Sequence, residues 1–271
     1  MTTVEWNSAA DWDAAQSEDN VVHEAVSNTD HDDASVLKKG YPVKNPLFAS
    51  NLVGYWPLNE DSGSTSYDFS GNGYDGTLNG PTQSQTGLLG TSAYSFDGAD
   101  DYISPPVVTE PGESDRVTLA VWVNMSPLSS RGMHVSSRDE AGGGGTCYSL
   151  GTDSGGTIRW QIKSEALNFY DALGSTSYDD GNWHLLAGTY DGSDLTAYVD
   201  AVQDVNNSFS DNIQTPSVTD IGRLAGNSTN YTNGRLAYPM IFDRALSQSE
   251  LQTLYDVVAA NGTLTTAVKT S

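Results

Sequence analysis

Basic residues are scarce in this chain. Only 12 Lys and Arg stand against 35 Asp and Glu in 271 residues, a formal net charge of −23. Lysine is confined to positions 38, 39, 44, 163 and 269. Binding to a phosphate backbone requires a basic face, so nucleic acid is not an expected partner. Cysteine is nearly absent: Cys147 stands alone, which excludes an internal disulfide and says little about compartment. No apolar run approaches the roughly 20 residues of a membrane span, so no membrane insertion is expected. The opening MTTVEWNSAADWD has neither a basic region nor an apolar stretch and does not read as a secretory signal.

Catalytic sets are missing as well. The four histidines, at 23, 31, 134 and 184, show no metal-ligand spacing and no nucleophile motif. Glycoside hydrolysis needs two carboxylates roughly 5–10 Å apart. None of the nine glutamates lies in an apolar alternating strand. No catalytic residue is assigned, and an enzyme is not expected. The acidic balance has a further consequence. Such a surface repels itself in dilute buffer, whereas molar salt shortens the screening length to about 3 Å. The composition reads as adaptation to high salt, with an ordinary acidic extracellular domain that takes up calcium as the other reading.

What is present is a strand pattern. In Tyr178–Gln203, the run His184–Tyr190 is mostly apolar and ends at the hairpin signal Asp191-Gly192. Leu195, Ala197 and Val199 then alternate with Thr196, Tyr198 and Asp200, the period of a strand with one buried face. Such a pair needs a second sheet to bury that face. In Val117–Met125 both faces are apolar, as in a central strand. Thr157–Ser164 alternates Ile158, Trp160 and Ile162 with Arg159, Gln161 and Lys163, which assigns Trp160 to the core. Ser247-Gln-Ser-Glu250 is a capping box opening a helix with Leu251, Leu254, Tyr255 and Val258 on one stripe. Trp56 and Pro57 place the first strand, near Val53 and Tyr55, at an edge.

Three blocks of the sequence occur in a familiar order: GYWPLNEDSGSTSYDFSGNGYDGTLNG with YSFDGADDYISPP, then DGNWHLLAGTYDGSDLTAYVD, then DIGRLAGNSTNYTNGRLAYPMIFDRALSQSELQTLY. Together they resemble the laminin-G-like domains of the concanavalin-A-like jelly-roll superfamily, over roughly Leu52 to Val258. The resemblance implies an all-β, two-sheet antiparallel jelly-roll sandwich with a short C-terminal helix. It divides the chain into an N-terminal arm (1–50), a jelly roll (51–260) and a polar tail (261–271). This fold hosts lectins, adhesion modules and enzymes alike, so fold does not settle function.

Candidate sites follow. Asp68, Ser70 and Asn72, with the carbonyl of Tyr74, match the first half of an EF-hand loop, but Asn79 replaces the closing Glu. Structural Ca2+ and a glycine-rich turn closed by Asx hydrogen bonds both remain open there. A pentraxin-like calcium site would join Arg138-Asp139-Glu140 to Gly222-Arg223-Leu224-Ala225; arginine and leucine are poor ligands, so the resemblance implies that site is absent. The family's Asp-Gly turn is Asp200-Ala201 here, and its Ile-Asp-Glu-Val run is Leu236-Ala237-Tyr238-Pro239. Phe169, Tyr170 and Tyr178 lie in loop-like sequence and are the expected exposed aromatic contacts. His184 reads as a satisfied structural histidine.

The arm carries Trp6 and Trp12 in acid-rich sequence, then a basic connector with Lys38 and Lys39. It is too poor in apolar surface for a core of its own, so the expectation is docking and assembly. The whole layout resembles turret, decoration or fibre proteins of haloarchaeal tailed viruses. That implies a virion-surface location, a cyclic trimer or pentamer, a capsid or tail protein as partner, and host-surface glycans as ligands. A secreted haloarchaeal carbohydrate-binding module is the alternative.

Overall fold

A computed structural model describes residues 51–261 apart from 89–91, 112–114, 129 and 141–144. The arm, with Trp6, Trp12, Lys38 and Lys39, lies outside the described residues, as do the tail from 262 and the side chain of Val258. Among the described residues no helix is long and apolar enough to cross a membrane.

Strands numbered in chain order form two antiparallel sheets. The first runs β14 (Val202–Ser208), β13 (Asp194–Val199), β12 (Trp183–Tyr190), β7 (Val117–Asn124), β16 (Asn233–Phe242), β5 (Ser92–Asp97), β4 (Thr82–Thr86), with β1 (Leu52–Tyr55) paired to β16. The second runs β11 (Phe169–Ser177), β10 (Thr157–Lys163), β9 (Gly145–Thr152), β8 (Gly132–Asp139), β15 (Val218–Ile221), β6 (Tyr102–Ser104), β3 (Gly76–Asn79), β2 (Thr65–Ser66). This is the expected jelly-roll sandwich. Sequential hairpins join β8 to β11 in the second sheet and β12 to β14 in the first, β7 pairs with β12, and β16 returns from the C-terminal end to sit between β7 and β5.

The pattern of β7 is explained by two separate cores. Leu119, Val121 and Val123 face the second sheet, in one cluster with Ile158, Trp160 and Ile162. Ala120 and Trp122 face outward, under the helix α1 (Gln248–Asn261), whose Leu251 and Leu254 are buried against them. Tyr255 stacks on Trp122 with centroids 5.4 Å apart. The capping box forms as expected: the Ser247 N–H donates to Glu250 Oε2 at 2.8 Å, and the Glu250 N–H donates to Ser247 Oγ at 3.3 Å. A helix of this length is marginal alone in water, so the apolar stripe packed on the sheet holds it in place.

Two departures from the family pattern are absorbed locally. Asp200 and Ala201 both adopt positive φ, 51° and 62°, so the hairpin turn survives without its glycine. Left-handed alanine costs about 1–2 kcal/mol. Asp200 offsets this by accepting the Leu185 N–H at 2.9 Å through its side chain. Pro239 sits in a central strand at the register shift between Ala237 and Met240, where Tyr238 has φ 54°. Its carbonyl accepts the Trp56 N–H at 3.1 Å. A bulge is where proline fits inside a sheet.

The sheets are also tied together by one polar bond through the core. Trp160 Nε1 donates to the carbonyl of Thr189 at 3.0 Å. The indole reaches that far only because residue 188 is glycine: a Cβ there would lie 2.4 Å from Trp160 Cδ2.

Candidate functional site

The loop proposed for calcium is held by its own hydrogen bonds. Asp68 Oδ1 accepts the N–H groups of Tyr55 at 3.0 Å and Ser70 at 2.9 Å. Its Oδ2 accepts the Ser70 hydroxyl at 2.7 Å and the Tyr74 N–H at 3.0 Å. Asn72 Nδ2 donates to the Val53 carbonyl at 3.1 Å, and the Tyr74 carbonyl accepts Trp56 Nε1 at 2.8 Å. A carboxylate with about four acceptor sites has none left for a cation, so these residues do not fit calcium. The loop is a clamp that pins β1, with an open depression lined by Tyr67, Asp68, Phe69 and Asp75 beside it.

A different acidic group was not anticipated. Asp97, Asp100 and Asp101 bring carboxylate oxygens within 4.8 Å of one another. Asp101 Oδ2 accepts the Asp97 N–H at 2.9 Å, and Asp97 Oδ1 accepts the Ala99 and Asp100 N–H groups. Burial pushes the Asp101 carboxyl above its usual range. These bonds close the turn between β5 and β6, which accounts for the cluster. At the segment compared with pentraxins, Arg223 Nε donates to buried Asp220 at 2.8 Å, and its guanidinium lies 3.4 Å from the Tyr102 ring centroid.

The aromatic expectations divide. Phe169 and Tyr170 are not loop residues, since they open β11, whereas Tyr178 does lie in the connection between β11 and β12. Tyr178 is buried, and its hydroxyl lies 2.6 Å from Thr152 Oγ1, so it belongs to the core. Tyr170 turns inward and stacks on Phe209 at 3.8 Å, which in turn stacks on Tyr190 at 4.6 Å. Phe169 alone of the three points outward, 54% exposed. Side chains alternate across a strand, so neighbours 169 and 170 cannot share a face.

That outward face carries a distinct combination. Ile158, Trp160 and Ile162 of β10 point into the core, so Arg159, Gln161 and Lys163 point out. On β11 they meet Leu173, Asp171 and Phe169, in register with Arg159, Gln161 and Lys163 respectively. Among the described residues the exposed large hydrophobics are Leu167, Phe169, Leu173 and Val202, and two of the four, Phe169 and Leu173, stand on this face. Lys163 Nζ sits 5.5 Å from the Phe169 centroid. Between the apolar groups runs a charge ladder. Arg131 Nε to Asp153 Oδ1 is 3.0 Å, Arg159 Nη1 to the same oxygen is 3.9 Å, and Arg159 Nη2 to Asp171 Oδ2 is 2.9 Å. Burial would raise the Asp153 carboxyl, but Arg131, with Arg159 behind it, holds it below its usual range. The sequence showed the outward triplet of β10 by its alternation; Asp171 and Leu173 carried no signal of their own.

The edge beside this face is sealed. Asp204 of β14 accepts the N–H groups of Ser175 at 2.9 Å and Thr176 at 3.2 Å, and Asn207 Nδ2 donates to the Asp171 carbonyl at 2.6 Å. Satisfied backbone groups discourage pairing with another strand.

Solved structures with similar folds come from several sources. The binding domain of Paraclostridial Mosquitocidal Protein 1 superposes with a TM-score of 0.61 at 18% identity, over 77% of this chain and 52% of that one. Domain 4 of an extracellular arabinanase from Geobacillus stearothermophilus, in complex with arabinotriose, gives 0.58 at 17% identity, over 76% of this chain and 98% of the domain. Trypanosoma rangeli sialidase in complex with sialic acid gives 0.61 at 15%, over 90% and 37%. The chain thus spans about half of the toxin domain and about a third of the sialidase. At these identities the likeness shows the fold alone. No curated protein matches the chain. The model of the concanavalin A-like lectin/glucanases superfamily matches residues 97–252, more than half the chain and the stretch from the end of β5 into α1. On its sandwich, its hairpin register and that match, the chain is a laminin-G-like member of the concanavalin A-like lectin/glucanase superfamily.

Proposed function

We propose that this chain is a non-enzymatic binding module that recognises glycans on the outward face of β10 and β11. The observation that carries the reading is Phe169 and Leu173 standing exposed on either side of Asp171, against the Arg159 ion pairs. Sugars present apolar C–H faces and polar edges together, and an aromatic or aliphatic platform beside paired polar groups complements both. A toxin's binding domain and an arabinotriose-bound arabinanase domain among the similar folds support the same reading. The test is retention of the full chain on immobilised polysaccharides in molar KCl. Wild type is retained and Phe169→Ala is not; a wild type that passes through every matrix removes the reading.

Within that function, the module is displayed on the surface of a halophilic virus particle. Residues 1–50 anchor it, as a cyclic trimer or pentamer, to a capsid or tail protein, and the jelly roll faces host-surface glycans. The charge of −23 and the tryptophan-bearing acidic arm support this assignment. Ordering some fifty residues costs about 1–2 kcal/mol each in backbone entropy, which contacts with other subunits would have to offset. Light scattering on the full chain in high salt is expected to give a closed oligomer, and removal of residues 1–50 a monomer. A monomeric full chain sinks the display role. A secreted haloarchaeal carbohydrate-binding module is the second reading, favoured by the 98% coverage of the arabinotriose-bound domain 4 of an extracellular arabinanase.

A further inference from the structure

We infer that the depression beside the Asp68 loop is the docking site of this chain's own basic connector, with Phe48 resting on Tyr67 and Phe69 and Lys44 pairing with Asp75. The inference goes beyond the glycan-binding reading and does not rest on it. The depression has a volume of about 340 Å³ and is lined by Tyr67, Phe69 and Asp75 together with Gly71 and Gly73. A Cβ at either glycine would meet nothing within 4 Å, so the space is open. Tyr67 and Phe69 are only half-buried there. Phe69 packs against the layer that holds Leu52, Tyr55, Leu251 and Leu254. Two aromatic rings in an open concavity are apolar surface that a covering side chain would remove from water.

Position and charge select the occupant. The chain enters the sandwich at β1, and the loop holds that entry. Asn72 Nδ2 donates to the Leu52 and Val53 carbonyls at 3.4 and 3.1 Å, and the Ser70 hydroxyl donates to the Val53 carbonyl at 3.1 Å. The connector lies outside the described residues, but it joins the chain at this point. Phe48 precedes Leu52 by four residues, a reach of at most about 14 Å. In an extended chain that even spacing puts Phe48 on the side of Leu52, where Phe69 packs. Pro42 and Pro46 bias the residues before them towards extended backbone. A segment tethered this closely is present at millimolar effective concentration. Residues 34–50 hold Lys38, Lys39 and Lys44 and no acid, whereas residues 51–115 hold ten acids and no Lys or Arg. Asp68 has its acceptor sites filled. Asp75 is exposed and gives only Oδ1, to the Asp68 N–H at 2.8 Å, which leaves Oδ2 for an ammonium. The acid-rich residues before 34 would be repelled from this loop; the connector is attracted to it.

The experiment places a photoreactive benzophenone side chain at position 45, between the two contacts, in the full chain at one fixed salt concentration at which it is folded. Irradiation is expected to give a product of single-chain mass whose cross-link maps to residues 67–75. Phe48→Ala is expected to weaken the docking about tenfold, the equivalent of one large apolar side chain returned to water, and so to remove most of that product. Lys44→Glu sets like charges against each other and is expected to lower the yield as well. Both substitutions lie in the connector, so neither touches the fold of the sandwich. A product of twice the chain mass, joining position 45 to residues 67–75 of another copy, overturns docking within one chain and makes the occupant a neighbour's connector. Cross-links elsewhere on the sandwich, or none, overturn the docking site. A yield that Phe48→Ala leaves unchanged overturns the aromatic contact, and one that Lys44→Glu leaves unchanged overturns the ion pair.

Discussion

His134 and Thr152 meet in the core with Nε2 and Oγ1 2.6 Å apart, in a buried hydrogen-bond chain whose direction is set at its Thr232 end. At the other ring nitrogen, Nδ1 lies 2.9 Å from Thr232 Oγ1, whose own proton goes to the Met133 carbonyl at 2.8 Å. Nδ1 must therefore be the donor and Nε2 the acceptor. Thr152 then donates to Nε2, and the Tyr178 hydroxyl donates to Thr152. Every member is satisfied with a neutral imidazole, and protonation would leave Nε2–H facing a hydroxyl already committed to it.

The pH consequence is direct. Burial lowers the His134 pKa to about 3, against an unfolded value near 6.5. Between those values the unfolded chain takes up a proton that the folded chain refuses. Stability is thus expected to fall on acidification by about 1.4 kcal/mol per pH unit from pH 6.5 towards 3. Urea titrations across that range measure it, and His134→Gln should flatten the slope. An unchanged slope in the variant refutes the assignment.

His184 has the opposite sign. Burial works against its charge, but Asp200 at 2.8 Å and Asp180 at 3.2 Å outweigh it and raise the pKa. Its contribution is fully present below the unfolded pKa and is lost as pH rises through the higher folded one. A proton NMR titration should place the His184 midpoint above 6.5, and Asp200→Asn should bring it down. A wild-type midpoint below 6.5 would show that burial dominates.

Gly188 is required by Trp160. A methyl there meets the indole at 2.4 Å, and overpacking of this kind costs about 1–3 kcal/mol. Gly188→Ala is expected to lower Tm by roughly 4–10 °C. A Tm within a degree of wild type would mean the indole moves at no cost.

Asp68 clamps its loop through four hydrogen bonds. Asp68→Ala removes the acceptor of four hydrogen bonds and is expected to cost about 2 kcal/mol or more. A chelator should leave the wild-type Tm unchanged. A chelator-induced drop that Asp68→Ala abolishes would restore the calcium reading.

Salt is the remaining lever. With 35 acids against 12 bases, Tm is expected to rise by more than about 5 °C from dilute buffer to molar KCl as repulsion is screened. A flat or falling trend removes the halophilic reading.

Local signals carried the fold a long way. The alternation of β10 and β13, the Asp191-Gly192 turn and the Ser247–Glu250 capping box each act over a few residues, so they were legible in the sequence and stand in the structure within a residue or two. Trp160 was assigned inward on parity alone, and it is fully buried. Residues 169–173, Phe-Tyr-Asp-Ala-Leu, held no such signal, because apolar residues fall on both parities. Only the pairing of β11 with β10 decided that Phe169 and Leu173 face out and Tyr170 faces in. Tyr178 was misplaced for the same reason: its partners, Thr152 and through it His134, are distant in sequence. The Arg159–Asp171 ion pair is likewise a product of strand register. Short-range periodicity is written residue by residue, whereas the meeting of a donor and an acceptor on neighbouring strands exists only once the sheet has closed.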